Sequence, residues 1–372
     1  MRIIQVLEKN QFNTGSVHQM FQAASGLCQR GHDVTIASRE DPILRSRAEE
    51  AGITFAPFAF RSEFDVQSVL ALRSFLRTSR PDVIHVHKGL AHTVALAASW
   101  GQPAPVFVVN RGVSFPLTFW NRPKFRTRRV DRVVTVCEDI RQIVIETGRV
   151  PPSKVTTVYA GVDLERFEPA RWTPEPFRTE KGIAADRFLI VQVGVRDWKG
   201  WKELIESFAD VAAGNSRLHL ALIACRSQEQ KDEVAAFARA RGVGEKVTPV
   251  EARTDMPAIF AAADCVVDAS WAGTGITGTI REAMAMRRPV IATDCGGNRE
   301  LVNSPDVGWL VPPRSRSLLT AALREVIGDP ARASAVALGA RHRVAQGFSM
   351  KVRIDRLEAL YQEIIEEKKG SI

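Results

Sequence analysis

Short runs of β-branched and other apolar residues alternate along this chain with stretches of helical spacing, and this alternation restricts the fold more than any other feature. Between the first two runs, residues 17–30 have helical spacing and Gly31 ends the helix. Strands that alternate with helices pair in parallel and carry helices on both faces of their sheet. The runs span residues 2–7, 34–37, 82–86, 106–109 and 133–136, then 188–193, 218–224, 265–268 and 289–293. The sequence therefore predicts an α/β protein with two doubly wound domains.

A proline-rich stretch separates the two series of runs. Pro169, Pro174 and Pro176 lie close together, and proline is excluded from helix interiors and central strands. The 372 residues also fit two domains of roughly 150 residues each. The last stretch of the chain has helical spacing with charges between its apolar residues. We predict a first domain over residues 1–168, a linker over 169–186, a second domain over 187–348 and a C-terminal helix within 349–372.

Composition restricts the class of protein and points to an anionic partner. Lys and Arg number 51 against 42 Asp and Glu, which gives a formal net charge of +9. The five cysteines are scattered without a Cys-x-x-Cys pair, so the sequence predicts neither a disulfide framework nor a zinc site. No apolar run has the roughly 18 to 20 residues of a membrane-spanning helix, and the opening residues are too soon charged for a secretory signal. We expect a cytoplasmic protein.

Two loops of the predicted second domain follow strands and open helices, where backbone N–H groups and the helix dipole favour an anion. Arg196 and Lys199 lie three residues apart in the first loop, and an Arg and a Lys together suit a diphosphate. The alternative is two solvated surface cations. The second loop has three glycines within six residues and is followed by Glu282, placed to accept hydrogen bonds from two ribose hydroxyls. The alternative for Glu282 is an ordinary acidic residue at a helix N-terminus.

The predicted first domain carries weaker signals. Gly15 opens the first helix and is a candidate for contact with the same phosphates, although the three spaced glycines of a dinucleotide fingerprint are missing. His85 and His87 lie on one strand, with no Asp, Glu or Cys nearby to complete a metal site. We expect His85 in the core and His87, at the strand tip, in the cleft between the domains.

Six segments along the chain carry the motifs of a known family when they are taken together. In chain order they are Arg-Gly-His-Asp-Val34, Pro-Asp-Val-Ile-His-Val-His87, Val-Asp-Arg-Val-Val-Thr-Val-Cys-Glu138, Ala-Gly-Val-Asp-Leu-Glu-Arg-Phe167, Trp-Lys-Gly200 and Arg-Glu-Ala-Met-Ala-Met-Arg-Arg-Pro-Val-Ile-Ala-Thr-Asp-Cys-Gly-Gly297. In this order they resemble the GT-B-fold, retaining glycosyltransferases that use nucleotide sugars, the glycosyltransferase group 1 family. The resemblance extends from Met1 to about Tyr361. It implies two Rossmann-like domains facing across a cleft and a C-terminal helix that crosses back to the first domain.

The resemblance also implies roles for single residues. Arg196 and Lys199 would hold the donor diphosphate and stabilise the leaving group, Gly15 would approach the phosphates, and Glu282 would hold the ribose. The loop residues implied as donor contacts are Thr274, Gly275, Ile276 and Thr277. The family needs no divalent metal and no other cofactor, and this chain contains no Asp-x-Asp triplet.

The chain departs from the family at positions that bear on the donor and the acceptor. Thr274 stands where the family usually has a carboxylate that contacts the transferred sugar, and Arg111 stands where it often has a histidine. We therefore predict an unusual donor, which lacks that hydroxyl or carries negative charge. Arg111 and His87 are the acceptor-side candidates, His87 also a catalytic one. The general base is unassigned, and the sequence names neither the donor nor the acceptor.

A basic segment of the first domain is interleaved with large apolar residues. Its only acidic residue is Asp131. Cations beside aromatic residues suit an anionic membrane surface. The alternatives are a solvated basic helix and nucleic acid, but no recognised nucleic-acid motif is present. The segment contains Arg111, Arg122, Lys124, Arg126, Arg128, Arg129 and Arg132, with Phe115, Leu117, Phe119, Trp120 and Phe125 between them.

These observations together predict a retaining, metal-independent glycosyltransferase that adds a sugar to a membrane-associated glycolipid or envelope polysaccharide precursor. We expect peripheral attachment to the inner face of the membrane, and no nucleic-acid partner. The alternatives are a non-hydrolysing nucleotide-sugar epimerase of the same architecture and a non-catalytic relative that binds sugar nucleotides. The oligomeric state is not predicted.

Overall fold

The chain forms two compact units in a computed structural model that describes residues 1–9, 15–102, 105–273 and 275–370. The first unit comprises Met1–Gly161 together with Met350–Ile372, and the second comprises Val162–Ser349. The change of unit therefore lies seven residues before the boundary that the sequence predicts at residue 168.

The first unit is built on a parallel sheet with the strand order β3-β2-β1-β4-β5-β6-β7. The strands are β1 (Arg2–Leu7), β2 (Asp33–Ser38), β3 (Thr54–Pro57), β4 (Val83–His87), β5 (Val106–Arg111), β6 (Arg132–Thr135) and β7 (Val155–Thr157). The helices are α1 (Gly15–Gln29), α2 (Pro42–Glu50), α3 (Val66–Ser79), α4 (Gly89–Ala98), α5 (Arg122–Arg126), α6 (Glu138–Gly148) and the last helix of the chain, α15 (Met350–Lys369).

The C-terminal helix α15 is part of the core of the first unit. Its residues Leu357, Leu360 and Tyr361 are buried in the same hydrophobic cluster as α1 and the central strands. At the edge of this contact, Glu358 accepts hydrogen bonds from Arg30 at 2.6 Å and pairs with His32 at 2.8 Å. An apolar stripe that faces a sheet is what makes a helix of this charge content stable, because packing contributes more than helix propensity.

The second unit is built on a parallel sheet with the strand order β10-β9-β8-β11-β12-β13. The strands are β8 (Phe188–Val193), β9 (Leu218–Cys225), β10 (Val247–Glu251), β11 (Cys265–Asp268), β12 (Val290–Thr293) and β13 (Trp309–Val311). The helices are α7 (Glu175–Glu180), α8 (Trp201–Ala212), α9 (Gln228–Arg239), α10 (Met256–Ala262), α11 (Gly278–Ala285), α12 (Asn298–Leu301), α13 (Arg316–Gly328) and α14 (Pro330–Gly347).

The segment predicted as a linker is an integral part of the second unit, which corrects that prediction. Phe177 and Arg178 of α7 are buried, and the Arg178 guanidinium donates to the carbonyl oxygen of Ala262 at 2.8 Å and to Asp264 at 2.8 Å. The prolines keep this segment out of the sheet, but they are compatible with the first turn of a short helix.

In both sheets the order of strands reverses at the centre, between β1 and β4 and between β8 and β11. Open parallel sheets bind ligands beyond the carboxyl ends of the strands at such a reversal. The loops that follow these four strands are therefore the expected binding positions of the two sheets. Within the described ranges no helix is both long enough and apolar enough to span a membrane.

Candidate active site

The loop between β8 and α8 has a backbone shape that only glycine permits at two positions. Gly194 has φ +99°, and the alkyl chain of Lys199 packs over it where a side chain would stand. Gly200 has φ +65°, and an added Cβ would overlap the carbonyl oxygen of Ala269, at the end of β11. The two glycines thus bring Lys199 against the neighbouring strand end.

Arg196 and Lys199 flank one aromatic ring in this loop. The Arg196 guanidinium lies 5.7 Å and the Lys199 ammonium 5.2 Å from the centre of the Trp198 ring. Lys199 pairs with Asp268 at 3.1 Å, whereas Arg196 is exposed and forms no ion pair with any described residue. Partial burial and the nearby Arg226 lower the pKa of Arg196. The structure brings the two predicted cations together and leaves Arg196 open to an anion.

The loop between β11 and α11 presents an uncapped helix N-terminus beside these cations. Thr277 occupies the N-cap position of α11, but its hydroxyl donates to Asp268 at 2.9 Å instead of accepting from its own helix. The first N–H groups of α11 therefore keep their capacity to bind an anion. Ile276 is buried and Gly275, which is half-buried, has no side chain. These two residues can therefore contact a donor mainly through their backbone atoms. Thr274 lies outside the described residues.

Glu282 lies four residues into α11, one turn further along the helix than the sequence predicts. This position disfavours the alternative that Glu282 is an ordinary acidic residue at a helix N-terminus, because the stabilisation by the helix dipole falls off beyond the first turn. The carboxyl group accepts no hydrogen bond from the described residues, and burial raises its pKa to about 7 against the opposing influence of Arg281 and Arg166. A half-buried carboxyl group without a partner is suited to a ligand that donates hydrogen bonds, such as a diol.

The structure also brings Asp268 to this site, a place that the sequence does not predict for it. It ends the otherwise apolar strand β11 and is 2% exposed. One feature of the sequence does point to Asp268, because it is a carboxylate at the carboxyl end of a predicted buried strand. A charged residue buried at such a place needs hydrogen-bonding partners.

In the first unit, His87 does not lie where the sequence predicts. The His87 side chain is 4% exposed and its Nε2 pairs with Gln5 at 2.7 Å. The ring stacks on that of His85, whose Nδ1 pairs with the Tyr361 hydroxyl of α15 at 2.6 Å. Burial lowers the pKa of His87 to about 3. His87 is therefore an interior residue, and its predicted place at the acceptor side is corrected.

The other candidates of the first unit remain at its surface. Gly15 is exposed at the start of α1, with no described atom in the space of a side chain. Arg111 is half-buried at the carboxyl end of β5, where its Nη2 donates to the Phe115 carbonyl at 2.5 Å and burial lowers its pKa. The phosphate contact of Gly15 and the acceptor-side role of Arg111 remain predictions.

Only part of the basic segment predicted to bind a membrane is exposed and unpaired in the structure. Lys124 pairs with Glu63 at 3.1 Å, and Arg129 lies 4.9 Å from the centre of the Phe107 ring. Arg122 is half-buried, whereas Arg126, Arg128, Phe115, Phe119 and Trp120 are exposed. Leu117 and Phe125 are buried, and Arg132 pairs with Glu363 and Glu367 of α15 at 3.1 Å. The exposed part of the segment is thus smaller than the sequence predicts.

No cluster of three or more His, Cys, Asp or Glu side chains suited to a metal occurs among the residues that the structure describes.

Two family models match consecutive parts of the chain. The model of glycosyltransferase family 4 matches residues 14–166, and that of the glycosyl transferases group 1 matches residues 187–329. Together they cover most of the first unit's contiguous part and, in the second unit, the loops after β8 and β11. The chain belongs to the group 1 glycosyltransferases, which confirms the family that its motifs resemble.

Relatives and solved structures agree with this assignment. D-inositol 3-phosphate glycosyltransferase 1 of Catenulispora acidiphila is 31% identical over 252 residues, 64% of this chain and 59% of that protein. The UDP-Gal:alpha-D-GlcNAc-diphosphoundecaprenol alpha-1,3-galactosyltransferase of Escherichia coli is 24% identical over 321 residues, 82% of this chain and 81% of that one. A glycosyltransferase of Rickettsia africae has a similar fold, with a TM-score of 0.88 and 19% identity over 98% of each chain. The predicted GT-B fold is confirmed.

Proposed function

We propose that this protein transfers a sugar from a nucleoside diphosphate sugar to a membrane-associated glycolipid or an envelope polysaccharide precursor, with retention of the anomeric configuration. The observation that carries the proposal is the meeting of Arg196, Lys199 and the uncapped N-terminus of α11 at the central strand ends of the second unit. Negative charge builds on the diphosphate as the glycosidic bond breaks, so groups fixed at that place stabilise the transition state.

The same arrangement supports a leaving group held without a divalent metal. The guanidinium of Arg196 and the ammonium of Lys199 supply positive charge, and the α11 N–H groups supply hydrogen bonds. We therefore expect transfer to continue in the presence of a chelator such as EDTA. Retention is the family expectation, and the anomeric signal of the product in ¹H NMR tests it.

Two features support an acceptor that carries phosphate. Both relatives described above are named for acceptors that carry phosphate, one an inositol phosphate and one a polyprenyl diphosphate. The net charge of this chain is +9, and Arg111, Arg126 and Arg128 make no ion pair with the described residues. A cationic surface of this kind favours an anionic acceptor.

A panel of nucleotide sugars tests the proposed function and the choice of donor. Ligands that bind the folded protein raise its apparent stability, so donors are first identified by thermal shift and then offered with acceptor extracts. We expect a donor whose sugar lacks a hydroxyl or is acidic to perform best, because Thr274 replaces the usual carboxylate. Best activity with plain glucose, galactose or N-acetylglucosamine donors contradicts that expectation. A change in the sugar without any acceptor identifies an epimerase instead.

The pH dependence of nucleotide binding tests the role of Glu282. The ionised carboxylate accepts hydrogen bonds from ribose, and with a pKa of about 7 it is mostly protonated at pH 6. Affinity for a nucleoside diphosphate is expected to rise about tenfold from this group between pH 6 and pH 8. The stability of the ligand-free protein changes in the opposite direction, since a raised carboxyl pKa destabilises the fold as pH rises from about 4.5 through 7.

The Glu282→Gln variant is the control, because it keeps the shape of the side chain but does not titrate. Calorimetric titrations across this pH range in both proteins separate the effect of Glu282 from protonation of the nucleotide. Equal pH profiles in the two proteins contradict the role of Glu282 in binding ribose.

We further propose that the first unit attaches to anionic lipid through two exposed aromatic side chains and nearby arginines. Phe64 is 91% and Trp120 86% exposed, and the Glu63–Lys124 ion pair joins the segments that carry them. Aromatic residues beside cations favour the headgroup region, and each well-placed cation adds about 1 kcal/mol.

The Phe64→Ser/Trp120→Ser double variant is expected to lower co-sedimentation with phosphatidylglycerol vesicles several-fold at low salt. Trp100→Ser is the matched control, because Trp100 is also exposed, at 63%, but lies outside the basic segment. Absence of wild-type binding to these vesicles, or equal losses in the two variants, contradicts the proposal.

A further inference from the structure

A buried carboxylate joins the two loops of the candidate active site to the start of α12. Asp268 is 2% exposed and accepts four hydrogen bonds, two on each carboxylate oxygen. Lys199 Nζ and Ser270 Oγ donate to Oδ1 at 3.1 and 2.7 Å. Thr277 Oγ1 and Asn298 Nδ2 donate to Oδ2 at 2.9 and 3.2 Å. These donors come from the loop after β8, the loop after β11 and the start of α12 after β12.

The Asp268 network is reinforced by a second layer of contacts. Asn298 Oδ1 accepts from the backbone N–H of Thr277 at 3.0 Å, and its Nδ2 also donates to the carbonyl of Thr293 at 3.0 Å. Gln192 donates to the Lys199 carbonyl at 3.0 Å and accepts from the Ala269 N–H at 3.2 Å. Thr277 and Lys199 are thus each fixed through both backbone and side chain.

We propose that Asp268 is a positioning residue, which fixes the Lys199 ammonium and the Thr277 end of the glycine loop in one geometry for the donor diphosphate. This inference rests on the proposed function. A lysine side chain loses rotamer entropy when it is immobilised, and Asp268 imposes that cost before the donor binds. An ammonium group has three donors, so Lys199 keeps two for phosphate oxygens while it remains bonded to Asp268.

The Thr277 contact has a second consequence for the same ligand. Because its hydroxyl is held by Asp268, it cannot fold back to cap α11, and the helix N–H groups stay available. Loss of Asp268 would free the hydroxyl to cap its own helix and free Lys199 to move. Asp268 therefore acts on the diphosphate through two partners without contacting it.

A double-mutant cycle tests this inference. Asp268→Asn in the wild-type background is expected to weaken nucleoside diphosphate binding and to lower kcat/KM by 10- to 100-fold. In the Lys199→Met background the same change is expected to cost less than about threefold, because its principal partner is already gone. UDP and GDP are the calorimetric probes, and kinetics use whichever donor the panel identifies.

Asp264→Asn is the matched control, since Asp264 precedes the same strand β11 and accepts from Arg178 and from the Leu189 N–H. It is expected to lower the melting temperature without changing Kd or kcat. If Asp268→Asn does not fold, Thr277→Val replaces it in the cycle, because it removes one donor and keeps the side-chain shape.

The outcomes separate the inference from the proposed function. Equal effects of Asp268→Asn in both backgrounds, or tighter diphosphate binding by Asp268→Asn, overturn the positioning role while the proposed function stands. Failure of the wild-type protein to bind any nucleoside diphosphate overturns the proposed function itself, and the inference with it.

Discussion

Replacing Lys199 with methionine is expected to lower kcat for sugar transfer by about 10²- to 10³-fold, the loss typical of removing one fixed group that stabilises developing charge. Methionine keeps the length and apolar packing of the alkyl chain over Gly194. Asp268 retains three of its four hydrogen-bond donors in this variant, so we expect the fold to persist. The loss should therefore appear in catalysis and in diphosphate affinity, and the melting temperature should also fall, because the buried Asp268 carboxylate loses its ion-pair partner.

Lys202→Met is the matched control for this prediction. Lys202 lies on α8, one turn beyond Lys199, where it pairs with Glu233 at 3.2 Å and lies 5.0 Å from the centre of the Trp201 ring. A lysine at the surface of a helix contributes little to a site it does not face, so kcat should be unchanged. Comparable losses of kcat in the two variants would show that general positive charge, rather than the position of Lys199, governs the reaction.

Replacing Gly200 with alanine is expected to destabilise the protein by about 3 to 5 kcal/mol. The left-handed backbone at φ +65° costs an alanine about 1 to 2 kcal/mol, and the overlap with the Ala269 carbonyl adds a comparable or larger strain. Relief of that overlap requires the loop to withdraw from β11, which also displaces Lys199. Chemical unfolding and UDP titration measure the two consequences.

Gly214→Ala separates the two costs of this substitution. Gly214 has φ +73°, close to that of Gly200, but nothing lies within 4 Å of the position of an added Cβ. We expect Gly214→Ala to cost only the backbone contribution of about 1 to 2 kcal/mol, with UDP affinity intact. If Gly200→Ala and Gly214→Ala lower the free energy of unfolding equally, the close approach of Gly200 to the end of β11 does not contribute to the cost.

The central strands could be predicted closely, and the edge strands could not. β1, β8 and β11 have the bounds that their apolar runs predict, because a strand covered on both faces is continuously apolar. The outer strands of the two sheets are β3, β7, β10 and β13, and none of the apolar runs predicts any of them. They are short and partly exposed, and β10 contains Pro249, so neither periodicity nor composition distinguishes them from loops.

His87 shows where alternation along a strand is insufficient. The period of two correctly implies that His85 and His87 share a face of β4. It does not show what covers that face, which the hydrogen bond between His85 and Tyr361 of α15 establishes. The covering helix comes from residues almost 280 positions away, and no local pattern relates the two.

In the candidate site, the loop with the two cations could be predicted from the sequence, but the buried Asp268 that holds it could not. Arg196 and Lys199 could be identified because a strand, a loop with two cations and a helix follow one another directly. The sequence predicts Asp268 only as the last residue of a strand, because its four partners are dispersed between residues 199 and 298. The basic segment shows the converse, because composition does not reveal that Arg129 and Arg132 are engaged within the first unit.

Calorimetric titration of the wild-type protein with UDP and GDP, beside the corresponding monophosphates, tests the central claim most directly. If the loops after β8 and β11 form a diphosphate site, one nucleoside diphosphate binds with a stoichiometry of one. Its monophosphate then binds at least about tenfold more weakly, a difference of about 1.4 kcal/mol. Absence of diphosphate binding at millimolar concentration, or equal affinity for the monophosphate, would contradict the account.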